Sequence, residues 1–204
     1  VVKPLMYACR DRGVKTLTLF AFSSENWHRP EPEVRALMAL LSRYLRREIK
    51  QLAEDGVRVR FIGRRDRLSP RIAKLLAWSE QATEHNTDTT LVLALDYGGR
   101  WDVGEAVSSL AYDVEAGRLR AQDIDETSLS ARMSLADQPT LDLCIRTGGE
   151  YRLSNFLLWQ SAYAELWFTK TLWPDFNVEE LDVAIEHFAG RERRYGGRPA
   201  EAHS

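Results

Sequence analysis

The chain has 204 residues, 44% of them hydrophobic, which suits one domain with a full core, since single cores serve chains of about 100–250 residues. Its 28 basic and 30 acidic residues leave a formal net charge of −2, which excludes the broad positive field of a nucleic-acid binder and makes any anion site a local one. Two distant cysteines, Cys9 and Cys144, suggest neither a zinc site nor a disulfide framework and fit a reducing, cytoplasmic setting; no apolar run approaches the roughly 20 residues that span a bilayer, and no signal-peptide pattern opens the chain.

Val1, Val2, Leu5, Met6 and Cys9 have helical spacing, so the sequence opens within a helix, where Pro4 is tolerable only in the first turn. Residues 14–22, rich in Leu, Thr and Phe, predict a buried strand that delivers the polar loop 23–31 to a sheet edge. From Glu33 the apolar residues Val34, Leu37, Met38, Leu41, Leu45, Ile49 and Leu52 keep a helical period until Gly56. A second strand follows over 57–62, and Ser69-Pro70 then supplies a cap and a first-turn proline for a helix running toward Asn86. A third strand at 90–95 closes on Tyr97-Gly98-Gly99, with a helix over about 103–115 and a short one near 127–134. A strand at 141–145, an apolar helix around 156–163, a short strand near 165–168 and a helix over 178–189 with a basic tail complete the chain. The alternation predicts an α/β fold: one domain, a largely parallel central sheet flanked by helices, with ligands expected beyond the carboxyl ends of its strands.

Three loops carry the chemistry. Arg146-Thr147-Gly148-Gly149-Glu150-Tyr151-Arg152-Leu153-Ser154-Asn155 joins two guanidinium groups, two glycines and a hydroxyl, a composition that can grip a diphosphate at a helix N-terminus or simply form a solvated turn with ordinary ion pairs. Phe22-Ser23-Ser24-Glu25-Asn26-Trp27-His28-Arg29-Pro30 is dense in polar groups at a strand end; its plainer reading is helix-entry chemistry with Trp27 as a lid. Glu165, set among aromatic and apolar residues, needs a cationic partner, either an arginine or a hard metal such as magnesium. Arg194-Tyr195-Gly196 lies in a basic tail that is commonly frayed.

In order, Phe22-Ser23-Ser24-Glu25-Asn26-Trp27 with Arg29-Pro30, Tyr97-Gly98-Gly99-Arg100, Arg146-Thr147-Gly148-Gly149-Glu150 with Arg152, Ser154 and Asn155, and the Glu165 segment resemble the cis-prenyltransferases, and within them most closely the bacterial undecaprenyl diphosphate synthases. The resemblance covers the chain from Val1 to Gly196. It implies condensation of isopentenyl diphosphate onto an allylic diphosphate such as farnesyl diphosphate, giving a polyprenyl diphosphate. Arg146, Arg152, Leu153 and Ser154 would bind the isopentenyl diphosphate, Glu165 would hold Mg2+, and Ser23, Ser24, Glu25, Trp27 and Arg29 would line the substrate site. Asn26 is the family's proton acceptor, although a neutral carboxamide is a poor base and suits positioning a diphosphate oxygen or water. Arg194 and Gly196 would reach the active site of a homodimer partner. A cytoplasmic enzyme touching the inner face of the membrane, where its product partitions, follows from the same likeness. No DDxxD motif of the trans-prenyltransferases occurs.

The family also has an N-terminal strand leading into Met-Asp-Gly-Asn-Gly-Arg-Trp-Ala, whose aspartate is the main catalytic and metal-binding residue. No such segment occurs in residues 1–204, so the expectation is a domain lacking that strand and loop, with little turnover as it stands. Asp96 stands where many relatives have Asn or Ser. Two other readings remain at this level: a non-catalytic binding or scaffold subunit of the family, and a general anion-binding module built on the Arg146 loop.

Overall fold

Amphipathic patterning dictates the first elements of the computed structural model, which describes residues 1–190. Helix α1 (Val2–Asp11) buries Leu5, Met6, Ala8 and Cys9 on one side and keeps Pro4 in its first turn, where no intrahelical donor is lost. The chain then enters strand β1 (Thr16–Ser23), a 3₁₀ helix (Ser24–His28) and the long helix α2 (Glu31–Glu54), whose Val34, Met38, Leu45, Ile49 and Leu52 are buried at helical intervals. The expected polar loop therefore contains a short helix of its own, and α2 starts two residues ahead of its predicted Glu33.

Strand β2 (Val57–Ile62) leads to helix α3 (Pro70–Thr83), capped by the Ser69 hydroxyl, which accepts from the Ile72 amide at 3.4 Å. Strand β3 (Thr89–Tyr97) is buried along almost its whole length, which explains its unbroken apolar run. Helix α4 (Gly99–Glu115) begins four residues before its predicted start, and helix α5 (Glu126–Ser130) ends four before its predicted end. Strands β4 (Leu143–Arg146) and β5 (Glu165–Phe168) and helix α6 (Val178–Ala189) follow.

All the strand pairings are parallel, as expected, but the strands form two sheets, β1-β3-β2 and β4-β5. Among the described residues β1 and β4 have one strand partner each, and both border a cavity of about 1950 Å³ whose walls include Thr18, Phe20, Leu37, Leu41, Cys144 and Ile145. The main core, on which α1, α2 and α3 pack, lies against one face of β3; Val92, Ala94 and Tyr97 form a second cluster on the other.

The helix expected around 156–163 is absent; residues 154–163 form turns and bends. Ser154, Asn155 and Leu157 sit at φ +49°, +63° and +43°, in the left-handed region, which interrupts a right-handed helix before it can nucleate. Tertiary contacts hold the segment there: the Asn155 carbonyl accepts from the Gly99 amide at 2.6 Å, and Leu158 lies so close to Gly99 that a Cβ there would come within 2.8 Å of it.

Candidate functional site

The parallel pairing brings the ends of β1 and β3 together, with Ser23 opposite Tyr97. The loop after β1 is ordered by its own polar groups. The Asn26 carboxamide oxygen accepts from the Ser23 amide at 2.9 Å, so this predicted catalytic group serves as a local cap. Ser24 donates its hydroxyl proton to Asp96 Oδ1 at 3.0 Å. Trp27 packs edge-on against Phe22, with ring centroids 5.2 Å apart, and its buried indole N–H has no hydrogen-bond partner among the described residues. Arg29 bonds Glu33 Oε1 at 2.6 Å across one helical turn and faces water.

Glu25 connects this loop to two other motifs. Asn155 donates through Nδ2 to Glu25 Oε1 at 2.8 Å and accepts at Oδ1 from the Arg100 amide at 2.9 Å. Asn155 thus ties the 22–30 loop, the Tyr97-Gly98-Gly99-Arg100 block and the Arg146 loop into one constellation. A Cβ on Gly98 would lie 2.6 Å from the Asn155 amide nitrogen, so glycine is needed for this approach. Burial raises the Glu25 carboxyl, but the hydrogen bond from Asn155 and its local bonds outweigh that, and its pKa falls below the ordinary 4.5. Asn155 was visible in the sequence motif, yet nothing in spacing marks it as the link.

Arg146 ends β4. Its Nε is buried and has no hydrogen-bond partner, a donor oriented for an acceptor that no described side chain supplies. Gly148 and Gly149 adopt φ +87° and +72°, but their amides donate to the Thr171 and Thr169 carbonyls at 2.8 and 2.9 Å. The two glycines shape the turn, and their amides are committed within it rather than free for an anion. Arg152 is exposed and pairs with Glu150 at 2.5 Å, as in the plainer solvated-turn reading. Leu153 is half-buried at the cavity wall. Ser154 lies at a left-handed turn, with no helix after it to offer an N-terminus.

Glu165 is not brought to this cluster. It pairs with Leu143 at the start of the β4–β5 sheet, while Arg146 pairs with Phe168 at its end, about 10 Å along the strand at roughly 3.3 Å per residue. Strand alternation also puts the two on opposite faces. In agreement, Trp167, on the Glu165 face, packs against His187 of α6, and Phe168, on the Arg146 face, packs against Tyr151. Among the described residues no group of three or more His, Cys, Asp or Glu could hold a metal ion. Glu165 and Arg146 therefore stand at opposite ends of the β4–β5 pair, and a role of Glu165 toward magnesium is an expectation of the resemblance alone. Arg194 and Gly196 lie outside the described residues.

Arg67 enters the site unannounced, as the partner of the Asp96 that departs from many relatives. Asp96 is fully buried at the end of β3, and Arg67, 29 positions earlier, donates to both of its oxygens, from Nε at 2.8 Å and from Nη2. The apolar cavity is bordered by Phe22 and Leu95, next in sequence to Ser23 and Asp96, and its walls include Arg146, Leu153, Leu37 and Leu41. No described helix is long and apolar enough to cross a membrane.

The family model described as "Putative undecaprenyl diphosphate synthase" matches residues 1–196. Among similar proteins, the (2E,6E)-farnesyl-diphosphate-specific ditrans,polycis-undecaprenyl-diphosphate synthase of Xanthomonas axonopodis pv. citri is 54% identical over 188 residues, 92% of this chain and 73% of its own. The enzyme of the same description from Pseudomonas aeruginosa is 49% identical over 195 residues, 96% of this chain and 78% of its own. Among solved structures, lavandulyl diphosphate synthase from Lavandula x intermedia, in complex with dimethylallyl diphosphate, superposes with a TM-score of 0.91 at 34% identity, covering 96% of this chain and 84% of that one.

Proposed function

The chain belongs to the cis-prenyltransferase family, and from that premise we propose that it serves cis-prenyl chain elongation, condensing isopentenyl diphosphate onto an allylic diphosphate to form a polyprenyl diphosphate. The names of its relatives support farnesyl diphosphate as the allylic partner. Two observations carry the reading: three sequence motifs converge on Asn155, and Arg146, whose buried Nε has no partner among the described residues, lines an apolar cavity. A diphosphate at Arg146 and an isoprenoid tail along the cavity match that division of polar and apolar surface.

In the reaction the allylic C–O bond breaks and its electron pair leaves with diphosphate. The isopentenyl double bond forms the new C–C bond, and a proton passes to a diphosphate oxygen or to water to restore an alkene. Arg146 would hold the isopentenyl diphosphate through charge-assisted bonds, and Arg152, Leu153 and Ser154 would complete that end of the site. Ser23, Ser24, Glu25, Trp27 and Arg29 would form the opposite wall. With its oxygen engaged by the Ser23 amide, Asn26 is better placed to shape the wall than to take the proton.

Calorimetric titration tests the reading. Arg146→Ala should weaken isopentenyl diphosphate binding by about 10- to 100-fold, the value of one or two charged hydrogen bonds, while the melting curve stays near that of the parent. Unchanged affinity would sink the assignment.

The divided sheet supports a second element of the proposal. β1 and β4 both border the cavity with one strand partner each, which suits an inserted extended segment such as the family's N-terminal strand. The 204-residue chain contains no Asp-Gly-Asn-Gly-Arg motif, so it should incorporate radiolabelled isopentenyl units slowly. Turnover equal to that of a relative carrying the motif would overturn this. Exposed Leu166, Leu172, Trp173 and Val183 support the homodimer of the resemblance, and a monomer in sedimentation equilibrium would refute it.

A further inference from the structure

Asp96 is an ionisable side chain with no exposed surface at the end of the central strand, and its backbone takes the left-handed φ of +49°. Such a conformation persists in a non-glycine residue only where the surroundings hold it. They do so on three sides. Arg67 forks onto both carboxylate oxygens, Ser24 donates to Oδ1 at 3.0 Å, and the Arg64 amide donates to the Asp96 carbonyl at 3.1 Å.

The loop that carries Arg67 is itself fixed. Gly63, at φ +106°, lies so close to β3 that a Cβ would sit 1.9 Å from the Leu95 carbonyl oxygen, and Leu68 is buried in the main core. Arg67 also extends past Asp96. Its guanidinium carbon lies 5.6 Å from the centre of the Trp27 ring, within cation–π range. Both outward contacts of the Asp96–Arg67 pair thus land on the 3₁₀ helix, one on Ser24 and one on Trp27. That turn is also held by the Phe22–Trp27 ring contact, the packing of Trp27 on the main core and the Asn155–Glu25 bond.

We propose that Asp96 is a positioning residue for substrate binding: acting through Arg67 and Ser24, it fixes the Ser24–His28 turn so that Trp27 stands as a rigid wall of the site. This rests on the substrate-wall reading of that turn. It explains the chemistry of the cluster. A carboxylate accepts from a hydroxyl and both arms of a guanidinium at once, whereas a carboxamide offers one oxygen and turns a donor toward the other arm. Lysine in place of Arg67 would keep the charge but lose both the fork and the planar contact with Trp27.

The test uses this chain labelled with 5-fluorotryptophan, which gives six ¹⁹F lines, with that of Trp27 assigned from Trp27→Phe. Arg67→Lys and Asp96→Asn should each move the Trp27 line by more than its width and leave the other five in place. If Asp96→Asn fails to fold, Arg67→Lys carries the test, because Arg67 is partly exposed and its replacement retains the charge that Asp96 requires. A Trp27 line unmoved in Arg67→Lys, or all six lines moving together, overturns the proposal. A second titration separates it from the functional reading. Farnesyl diphosphate should shift the Trp27 line of the parent chain and do so at several-fold higher concentration in Arg67→Lys. A parent line that ignores the ligand would refute the substrate wall, while the response to the two substitutions would still decide the role of Asp96.

Discussion

Replacing Asn155 should separate the parts of the constellation. Asn155→Ala deletes a bond to a carboxylate, worth about 1.5–3 kcal/mol, and one to a backbone amide, worth about 0.5–1.5 kcal/mol. Both lie at the surface, where water replaces much of what is lost, so about 1–2 kcal/mol should appear as lost stability. Alanine must also adopt φ +63°, adding about 1 kcal/mol, which asparagine tolerates and glycine avoids. The expectation is a loss of about 2–3 kcal/mol for Asn155→Ala and about 1–2 kcal/mol for Asn155→Gly in urea denaturation. Both variants should raise the Glu25 carboxyl pKa, read by ¹³C NMR titration, since each removes its principal hydrogen-bond donor. The sign follows from linkage. The folded Glu25 pKa lies below 4.5, so its contribution is present above that value and fades as pH falls through the lower folded value. The variants should therefore lose less stability than the parent over that acid window. Equal losses for Ala and Gly, or an unchanged Glu25 titration, would refute the reasoning.

Two glycines should respond in opposite directions. Gly63→Ala forces a Cβ into the Leu95 carbonyl at φ +106°, and should destabilise by about 2–4 kcal/mol in the same assay. Gly104→Ala, inside α4 with nothing within 4 Å of the new Cβ, should stabilise by about 0.5–1 kcal/mol. Burial pushes the Cys9 thiol up to about 11, so native protein at pH 8 should react with iodoacetamide at this position far more slowly than urea-unfolded protein, as mass spectrometry of the modified peptide would show. Because the folded pKa is raised, that contribution to stability is full below pH 9 and is lost as pH climbs toward 11.

The elements legible in the sequence were those whose burial is set by one periodic face. Helix α2 follows from its apolar spacing, and β3 from an unbroken apolar run that only a strand buried on both faces explains. Residues 156–163 show the limit of that logic. Their apolar spacing predicts a helix, but contacts between Asn155, Leu158 and the start of α4 hold the preceding backbone in left-handed turns. Periodicity reports which side chains are buried; it does not report what the backbone must bend around to bury them.

The same distinction governs the site. Loop composition nominated Arg146 for the proposed anionic end, and the structure adds that the neighbouring glycine amides are already committed to Thr169 and Thr171. That leaves the guanidinium Nε as the donor still lacking a partner, so diphosphate affinity should depend on one side chain more than on a backbone nest. The pairing of Asp96 with Arg67 had no local signal, because 29 residues separate a strand end from a loop that meet only once β2 and β3 align in parallel. Glu165 gives the converse case. Its parity relative to Phe168 was readable, but that parity acquires meaning only through the β4–β5 register, which puts Glu165 on the face opposite Arg146. Residue chemistry therefore nominates candidates for the site, and strand register decides which of them meet.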